Sequence, residues 1–298
     1  PFPADAVLAS TIAQPLQARI PPGFRRHFPD GESLVTLDDA LAGTDVAILA
    51  SLRGADALAL PLRFAARTAR EFGARSVGLI APYLGYMRQD TRFHRGEAVS
   101  TPLFAQFLEE AFDWLVTVDP HLHRVECLQS LYRIPAAHVS ATQAVARWIA
   151  ETVPDAVLIG PDSESEQWVA DIAARSGMPY QVLAKERHGD YDVRVSLPDP
   201  AAVAGRAPVL IDDIVSSGHT ILETLAHLRR LSLPPPLLVT IHPVFAGDAY
   251  ARLQEAGLAR IVSTDTIAHP SNAIALGADL AAAASTLMTA LTDFPEDP

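Results

Sequence analysis

Cysteine is nearly absent from the sequence, since Cys127 is the only one in 298 residues, and an internal disulfide is therefore excluded. Long apolar runs are also missing. The least polar stretch, residues 275–294, is rich in alanine but carries Asp279 and several threonines, so it is too polar to span a bilayer. The first residues have neither the basic flank nor the apolar run of a secretory signal. We expect a cytoplasmic protein with no membrane partner.

Basic residues are fewer than acidic ones, and the formal net charge is −12. No block of Lys or Arg is present, so we expect no nucleic-acid partner and a small-molecule ligand instead. The motifs GxxxxGKS/T and GxGxxG are absent too, which argues against a Walker-type kinase and a dinucleotide-binding fold. Every basic residue except Lys185 is arginine. Either the lone lysine falls there by chance, or position 185 needs an ammonium group that guanidinium cannot replace.

Short aliphatic runs recur along the chain, at residues 45–51, 76–82, 114–120, 156–162, 208–213 and 237–243. They do not alternate with polar residues, which indicates strands buried on both faces of parallel sheets. Segments with helical spacing of apolar residues separate them. The length suits two domains of about 150 residues. We predict an α/β protein with domains 1–142 and 143–298, each a mostly parallel sheet flanked by helices, and a polar loop or flap over residues 185–207.

The stretch VLIDDIVSSGHTI, residues 209–221, places two adjacent carboxylates at the end of a predicted strand. Ligands bind at the carboxyl ends of strands in open parallel sheets. The small residues that follow can wrap backbone N–H groups around an anion, and a helix that begins at Thr220 favours phosphate at its positive end. A phosphorylated sugar explains both features, because its phosphate meets the N–H groups and its hydroxyls donate to Asp212 and Asp213. A plain strand end before an N-capped helix would need Thr220 but not two acids.

This stretch resembles the phosphoribosyl-pyrophosphate (PRPP) loop of phosphoribosyltransferases and of ribose-phosphate pyrophosphokinases, also called PRPP synthetases. Five more stretches resemble the synthetase signatures in order and spacing: FPDGES (28–33), PYLGYMRQD (82–90), VDPHLHR (118–124), GPDSESE (160–166) and LAKER (183–187). Ordinary phosphoribosyltransferases lack most of them. The resemblance covers the chain from about Arg26 to about Asn272 and implies two phosphoribosyltransferase-like domains.

The resemblance implies a role for each matching residue. The ATP-binding residues are Phe28, Asp30, Glu32, Arg88, Gln89 and Asp90. The residues for ribose 5-phosphate are Asp212, Asp213, Ser216, Ser217, Gly218, His219 and Thr220. His121 and Asp162 are the metal residues, Mg²⁺ is the cofactor, and Lys185 and Arg187 are the catalytic basic pair. Self-association is expected, because the loop with Phe28 reaches the ATP site of a neighbouring subunit in this family.

The implied reaction is transfer of a diphosphoryl group from ATP to the 1-hydroxyl of ribose 5-phosphate, giving PRPP and AMP. Two alternatives stay open: a non-catalytic subunit that regulates a synthetase, and a phosphoribosyltransferase that consumes PRPP. The sequence also departs from the family pattern. Ser163, Glu164 and Ser165 replace the usual glycines, Pro120 replaces an aliphatic residue, and His219 replaces a small one.

Overall fold

The computed structural model describes residues 1–122, 127–183, 185–187, 193–195, 203–229 and 233–292. It divides into two compact units. Unit 1 is Pro1–Val139 with Gly277–Pro298, and unit 2 is Ser140–Leu276. Both are α/β, with parallel sheets flanked by helices, and this confirms the predicted fold class.

Unit 1 contains a four-stranded parallel sheet and a separate antiparallel hairpin. The hairpin pairs β1 (Phe24–His27) with β2 (Ser33–Thr36). The sheet has the order β3 (Asp45–Leu49), β4 (Ser76–Ala81), β5 (Trp114–Val118) and β6 (Ala136–Val139). Its helices are α1 (Ala6–Leu16), α2 (Asp56–Glu71), α3 (Ser100–Glu109) and, from the C-terminal segment, the helix Gly277–Thr292. Every residue of β4 and β5 is buried, as the unbroken aliphatic runs predict.

Unit 2 contains a six-stranded parallel sheet. Its order is β14 (Asn272–Ile274), β13 (Arg260–Thr264), β12 (Leu237–His242), β11 (Ala207–Ile214), β7 (Ala156–Gly160) and β8 (Tyr180–Val182). The helices are α4 (Thr142–Thr152), α5 (Glu166–Ser176), α6 (His219–Leu228) and α7 (Ala249–Glu255). Two short strands, β9 (Lys185–Arg187) and β10 (Val193–Val195), pair antiparallel in the segment predicted to be a polar loop.

The C-terminal helix, α8 (Gly277–Thr292), departs from the predicted domain division, which assigned it to residues 143–298. It packs against α1 and against strands of the unit 1 sheet. Its buried face is formed by Leu280, Ala281 and Ala284, and Gly277 lies so close to Thr11 of α1 that a β-carbon there would be 2.1 Å from the threonine hydroxyl. An alternation of strand and helix signals does not reveal which sheet a terminal helix covers. Among the described residues, no helix is both long and apolar enough to cross a membrane.

Candidate active site

Two neighbouring strands of unit 2 deliver acidic residues to the same edge of the sheet. Strand β11 pairs with β7 in parallel, with Leu210 opposite Ile159. Asp212 and Asp213 lie at the carboxyl end of β11, and Asp162 lies just beyond the end of β7. The carboxyl ends of parallel strands meet at one edge. The structure therefore places Asp162 with the two acids that the sequence assigned to the sugar.

The carboxyl group of Asp212 lies in an environment that disfavours its charged form. Burial raises the pKa of Asp212 well above its usual range, and the neighbouring carboxylates of Asp213, Asp162 and Glu164 raise it further. Asp213 is also buried, and its carboxylate accepts the N–H of Ile214 at 2.8 Å. Cations or hydroxyl donors that enter this edge would lower the energy of the four carboxylates together.

The residues that replace the family's usual glycines form a short turn. Asp162 caps it, because its carboxylate accepts the N–H of Glu164 at 3.1 Å. The hydroxyl of Ser165 is buried and donates to the carbonyl of Asp162 at 2.6 Å. A β-carbon on Gly160 would lie 2.4 Å from that hydroxyl, so the serine fills the space beside the strand. The departure therefore adds one carboxylate, Glu164, to the edge.

The segment of residues 215–218, here called the sugar-phosphate loop, joins β11 to α6. Gly218 has φ +72°, a left-handed conformation that glycine adopts without a steric penalty, and it is the N-cap of α6. Within the described part of the chain, the N–H groups of Ser216, Ser217 and Gly218 donate to no protein acceptor. Backbone N–H groups at a helix N-terminus are a favourable place for phosphate.

The helix after this loop begins at His219, one residue before the predicted start at Thr220. The side chain of His219 is 76% exposed, and its Nε2 lies 3.0 Å from a carboxylate oxygen of Glu223 on the next turn. The carbonyl of Thr220 accepts the hydroxyl of Thr224 at 2.9 Å. His219 is thus paired along its own helix, which the sequence did not reveal.

Three of the predicted ATP-binding residues, Phe28, Asp30 and Glu32, share the tip of the hairpin in unit 1. The N–H of Phe28 donates to the carbonyl of Glu32 at 2.8 Å, and Asp30 accepts the N–H of Glu32 at 3.1 Å. Phe28 is an exposed large hydrophobic residue, and the guanidinium of Arg26 lies 4.7 Å from its ring centroid. The structure brings Phe28, Asp30 and Glu32 together.

The segment that contains Arg88, Gln89 and Asp90 is organised by an acid that the sequence did not single out. One carboxylate oxygen of Glu97 accepts the N–H groups of Phe93 and His94 at 3.0 and 2.9 Å, and it lies 3.5 Å from the amide nitrogen of Gln89. The other lies 2.7 Å from Nδ1 of His94. These hydrogen bonds lower the pKa of Glu97, and the bond from the His94 N–H has the largest effect. The available signal was the second acid, Glu97, at the end of the arginine-rich stretch RQDTRFHRGE.

His121 follows β5 in unit 1, after a buried residue with unusual backbone geometry. Asp119 has φ +29°, is 3% exposed and donates its N–H to the carbonyl of Val139 at 3.1 Å. Pro120 and His121 follow this bend, and His121 is half-buried. His123 and Arg124 of the same motif lie outside the described residues.

Lys185 and Arg187 lie in β9, where their backbone pairs with Val195 and Val193 of β10. Their side chains are outside what the structure describes, as are residues 188–192 and 196–202. The catalytic assignment of this pair therefore stays a prediction.

The donor atoms at the acidic edge fit magnesium only with help from substrate. Among the described residues, no group of three or more His, Cys, Asp or Glu side chains is arranged to hold a metal ion alone. Magnesium prefers oxygen ligands and is usually held by one or two carboxylates together with phosphate oxygens and waters. The mutually repelling carboxylates around Asp212 supply such oxygens. The residues therefore fit a metal that arrives with a phosphorylated substrate.

Comparisons with known proteins give a consistent family. Residues 3–111 match the N-terminal domain of ribose phosphate pyrophosphokinase, and residues 135–265 match the phosphoribosyl transferase domain. A ribose-phosphate pyrophosphokinase of Methanopyrus kandleri is 32% identical over 282 residues, which cover 94% of this chain and 96% of that protein. One from Halobacterium salinarum is 35% identical over 265 residues, covering 87% and 90%. The crystal structure of phosphoribosylpyrophosphate synthetase from Mycobacterium smegmatis has the same fold, with a TM-score of 0.82 at 24% identity over 98% of this chain and 97% of that chain.

Proposed function

Because the chain belongs to the ribose-phosphate pyrophosphokinase family, we propose that it transfers the β,γ-diphosphoryl group of ATP to the 1-hydroxyl of ribose 5-phosphate. The hydroxyl oxygen attacks the β-phosphorus, the bond between that phosphorus and the α,β-bridging oxygen breaks, and the hydroxyl proton is released. The products are PRPP and AMP. The observation that carries this proposal is the edge where Asp212 and Asp213 precede a loop whose N–H groups at residues 216–218 donate to no acceptor among the described residues.

The sugar-phosphate loop is the proposed site for the 5-phosphate. The N–H groups of Ser216, Ser217 and Gly218 would donate to phosphate oxygens, and the positive end of α6 adds to the attraction. The hydroxyls of Ser216, Ser217 and Thr220 add further donors. The N–H of His219, at the first position of the helix, donates to the Ser217 hydroxyl oxygen at 3.5 Å and would orient that hydroxyl for the phosphate. The ring hydroxyls would donate to Asp212 and Asp213, which accept more readily when the charge around them is compensated.

ATP is the proposed diphosphoryl donor, bound by residues of unit 1. Phe28 offers an exposed ring for adenine, and Asp30 and Glu32 offer acceptors for its amino group. Arg88, Gln89 and Asp90 are the proposed phosphate-side residues, since a planar guanidinium suits phosphate recognition. Exposed apolar side chains such as Leu60 and Leu103 on this unit support self-association, which would let a hairpin reach a second subunit.

Magnesium is the proposed cofactor, and His121 and Asp162 are its proposed protein contacts. The metal would neutralise charge on the polyphosphate when bound. Lys185 and Arg187 are proposed to neutralise charge as it develops on the transferred group, since positioning and electrostatics supply most of the catalysis in phosphoryl transfer. Cytoplasmic location is part of the same proposal, because ATP is the substrate.

The test is a turnover assay with purified protein, ATP, magnesium and ribose 5-phosphate, followed by ³¹P nuclear magnetic resonance. We expect AMP and PRPP in equal amounts, with ribose 1-phosphate and ribose 1,5-bisphosphate inactive as acceptors. Lys185→Ala should keep the fold and abolish AMP formation, and full turnover in that variant would refute the role of Lys185. Absence of AMP with the unaltered protein would favour a regulatory subunit, and base-dependent release of pyrophosphate from PRPP would favour a phosphoribosyltransferase.

A further inference from the structure

We propose that Arg252, on α7, is a positioning residue that orients the sugar-phosphate loop for ribose 5-phosphate. The inference rests on the proposed function, because it assigns a supporting residue to the same site. Arg252 lies 35 residues beyond Ser217 in the chain, outside every motif that points to this site.

Three consecutive carbonyls of the loop are held from one side by a single segment, residues 245–252. The N–H of Phe245 donates to the carbonyl of Val215 at 2.8 Å, and the N–H of Ala246 donates to that of Ser216 at 3.0 Å. The guanidinium of Arg252 donates to the carbonyl of Ser217 at 2.7 Å. The loop backbone is therefore fixed at each of its three successive peptide groups.

The held carbonyls determine where the phosphate donors point. In a trans peptide, the C=O of one residue and the N–H of the next face in opposite directions. Anchoring the carbonyls of residues 215, 216 and 217 toward residues 245–252 thus turns the N–H groups of residues 216, 217 and 218 away from that segment. Those are the same three N–H groups that donate to no protein acceptor within the described residues.

Only the third of these anchors depends on a side chain. The peptide that it holds precedes Gly218, which has φ +72° and, as a glycine, has access to both signs of φ. That peptide is the one most able to rotate, and a rotated peptide would present the Ser217 carbonyl to the phosphate instead of an N–H. Arg252 opposes this rotation with a charge-assisted hydrogen bond.

Arg252 is itself held in place on the surface of unit 2. Its Nε lies 3.6 Å from a carboxylate oxygen of Asp248, the N-cap residue of the same helix, and its side chain is 46% exposed. Phe245 has φ +32°, and its buried ring packs 5.2 Å from Tyr250 and 4.8 Å from His269 between centroids. This aromatic packing fixes the start of the segment, so a change at Arg252 should leave the first two anchors intact.

The experiment compares Arg252→Ala with Arg252→Lys and with a matched control, Arg229→Ala. Arg229 also donates from Nη2 to a backbone carbonyl at 2.7 Å, that of Ala256, which is not part of the loop. We expect Arg252→Ala to raise KM for ribose 5-phosphate about tenfold, with kcat and KM for ATP within about twofold of the unaltered protein. Arg252→Lys should recover part of the loss, Arg229→Ala should behave as the unaltered protein, and melting temperatures should stay within about 2 °C.

Calorimetric titration of ribose 5-phosphate without ATP supplies a readout that does not depend on turnover. If the unaltered protein binds the sugar phosphate but forms no AMP, the proposed reaction fails while the role of Arg252 is still tested by binding. If the unaltered protein is active and Arg252→Ala binds ribose 5-phosphate normally, the role of Arg252 is refuted and the proposed reaction stands. A parallel loss of kcat, both KM values and melting temperature would also overturn it, since that pattern indicates a general structural role.

Discussion

Gly218→Ala perturbs the sugar-phosphate loop at a single backbone position. The native φ of +72° lies in the left-handed region, where a β-carbon costs about 1–2 kcal/mol. The new β-carbon would also lie 3.0 Å from Cδ1 of Leu253, the flexible end of a side chain that must shift by a few tenths of an ångström. We therefore expect unit 2 to lose about 1–2 kcal/mol of unfolding free energy and roughly 5 °C of melting temperature. If the loop relieves the strain by moving, KM for ribose 5-phosphate should rise at least about tenfold.

Gly177→Ala is the matched control for this substitution. Gly177 ends α5 with φ +70°, and a β-carbon there meets nothing within 4 Å. It should therefore cost about the same 1–2 kcal/mol in stability and leave KM for ribose 5-phosphate unchanged. Urea unfolding and calorimetric titration of both variants separate the two effects. Equal ribose 5-phosphate affinity in the two variants would refute the claim that the geometry at Gly218 serves the ligand.

Three further predictions concern unit 1. Burial raises the pKa of Asp5 to about 6, so its ionisation lowers stability as pH rises from about 4 through 6, by up to about 3 kcal/mol. Asp5→Asn should therefore raise the urea midpoint at pH 8 but not at pH 4.5, and an equal change at both would contradict the assignment. Glu97→Ala removes the acceptor for the N–H groups of Phe93 and His94. KM for ATP should therefore rise several-fold, with KM for ribose 5-phosphate unchanged. An unaltered KM for ATP would contradict the proposed role of Glu97. Gly78→Ala would place a β-carbon 1.8 Å from the indole of Trp114 and should cost more than about 3 kcal/mol, which a native-like melting temperature would disprove.

The sequence was sufficient for the parts of the fold that depend on burial alone. The long aliphatic runs became β3, β4, β5, β7, β11 and β12. Burial is complete along β4, β5 and β7, where it leaves an unbroken apolar signature, whereas β3 is only partly buried. Strands such as β8 and β14 have three residues each, too few for a periodic signal. The position of α8 depends on which sheet its apolar face packs against. That contact joins residues far apart in the sequence, so the helix's own sequence does not predict it.

The sequence pointed to residues that would touch ligand and did not point to residues that act through others. Two adjacent acids before small residues form a local pattern, which is why Asp212 and Asp213 could be proposed from the sequence alone. Arg252 acts through a hydrogen bond to one backbone carbonyl. Any long side chain with a hydrogen-bond donor within reach of that carbonyl could make such a bond, so no local pattern marks the residue. Glu164 lies in the acidic cluster because β7 and β11 are neighbours in the sheet. The order of strands in a sheet cannot be predicted from a short local sequence, so this neighbour was not found.

A crystal structure of the protein soaked with ribose 5-phosphate tests the central claim most directly. We predict the phosphate within hydrogen-bond distance of the N–H groups of residues 216–218 and the ring hydroxyls against Asp212 and Asp213. A sugar phosphate bound at another place, with these groups free of ligand, would contradict the account.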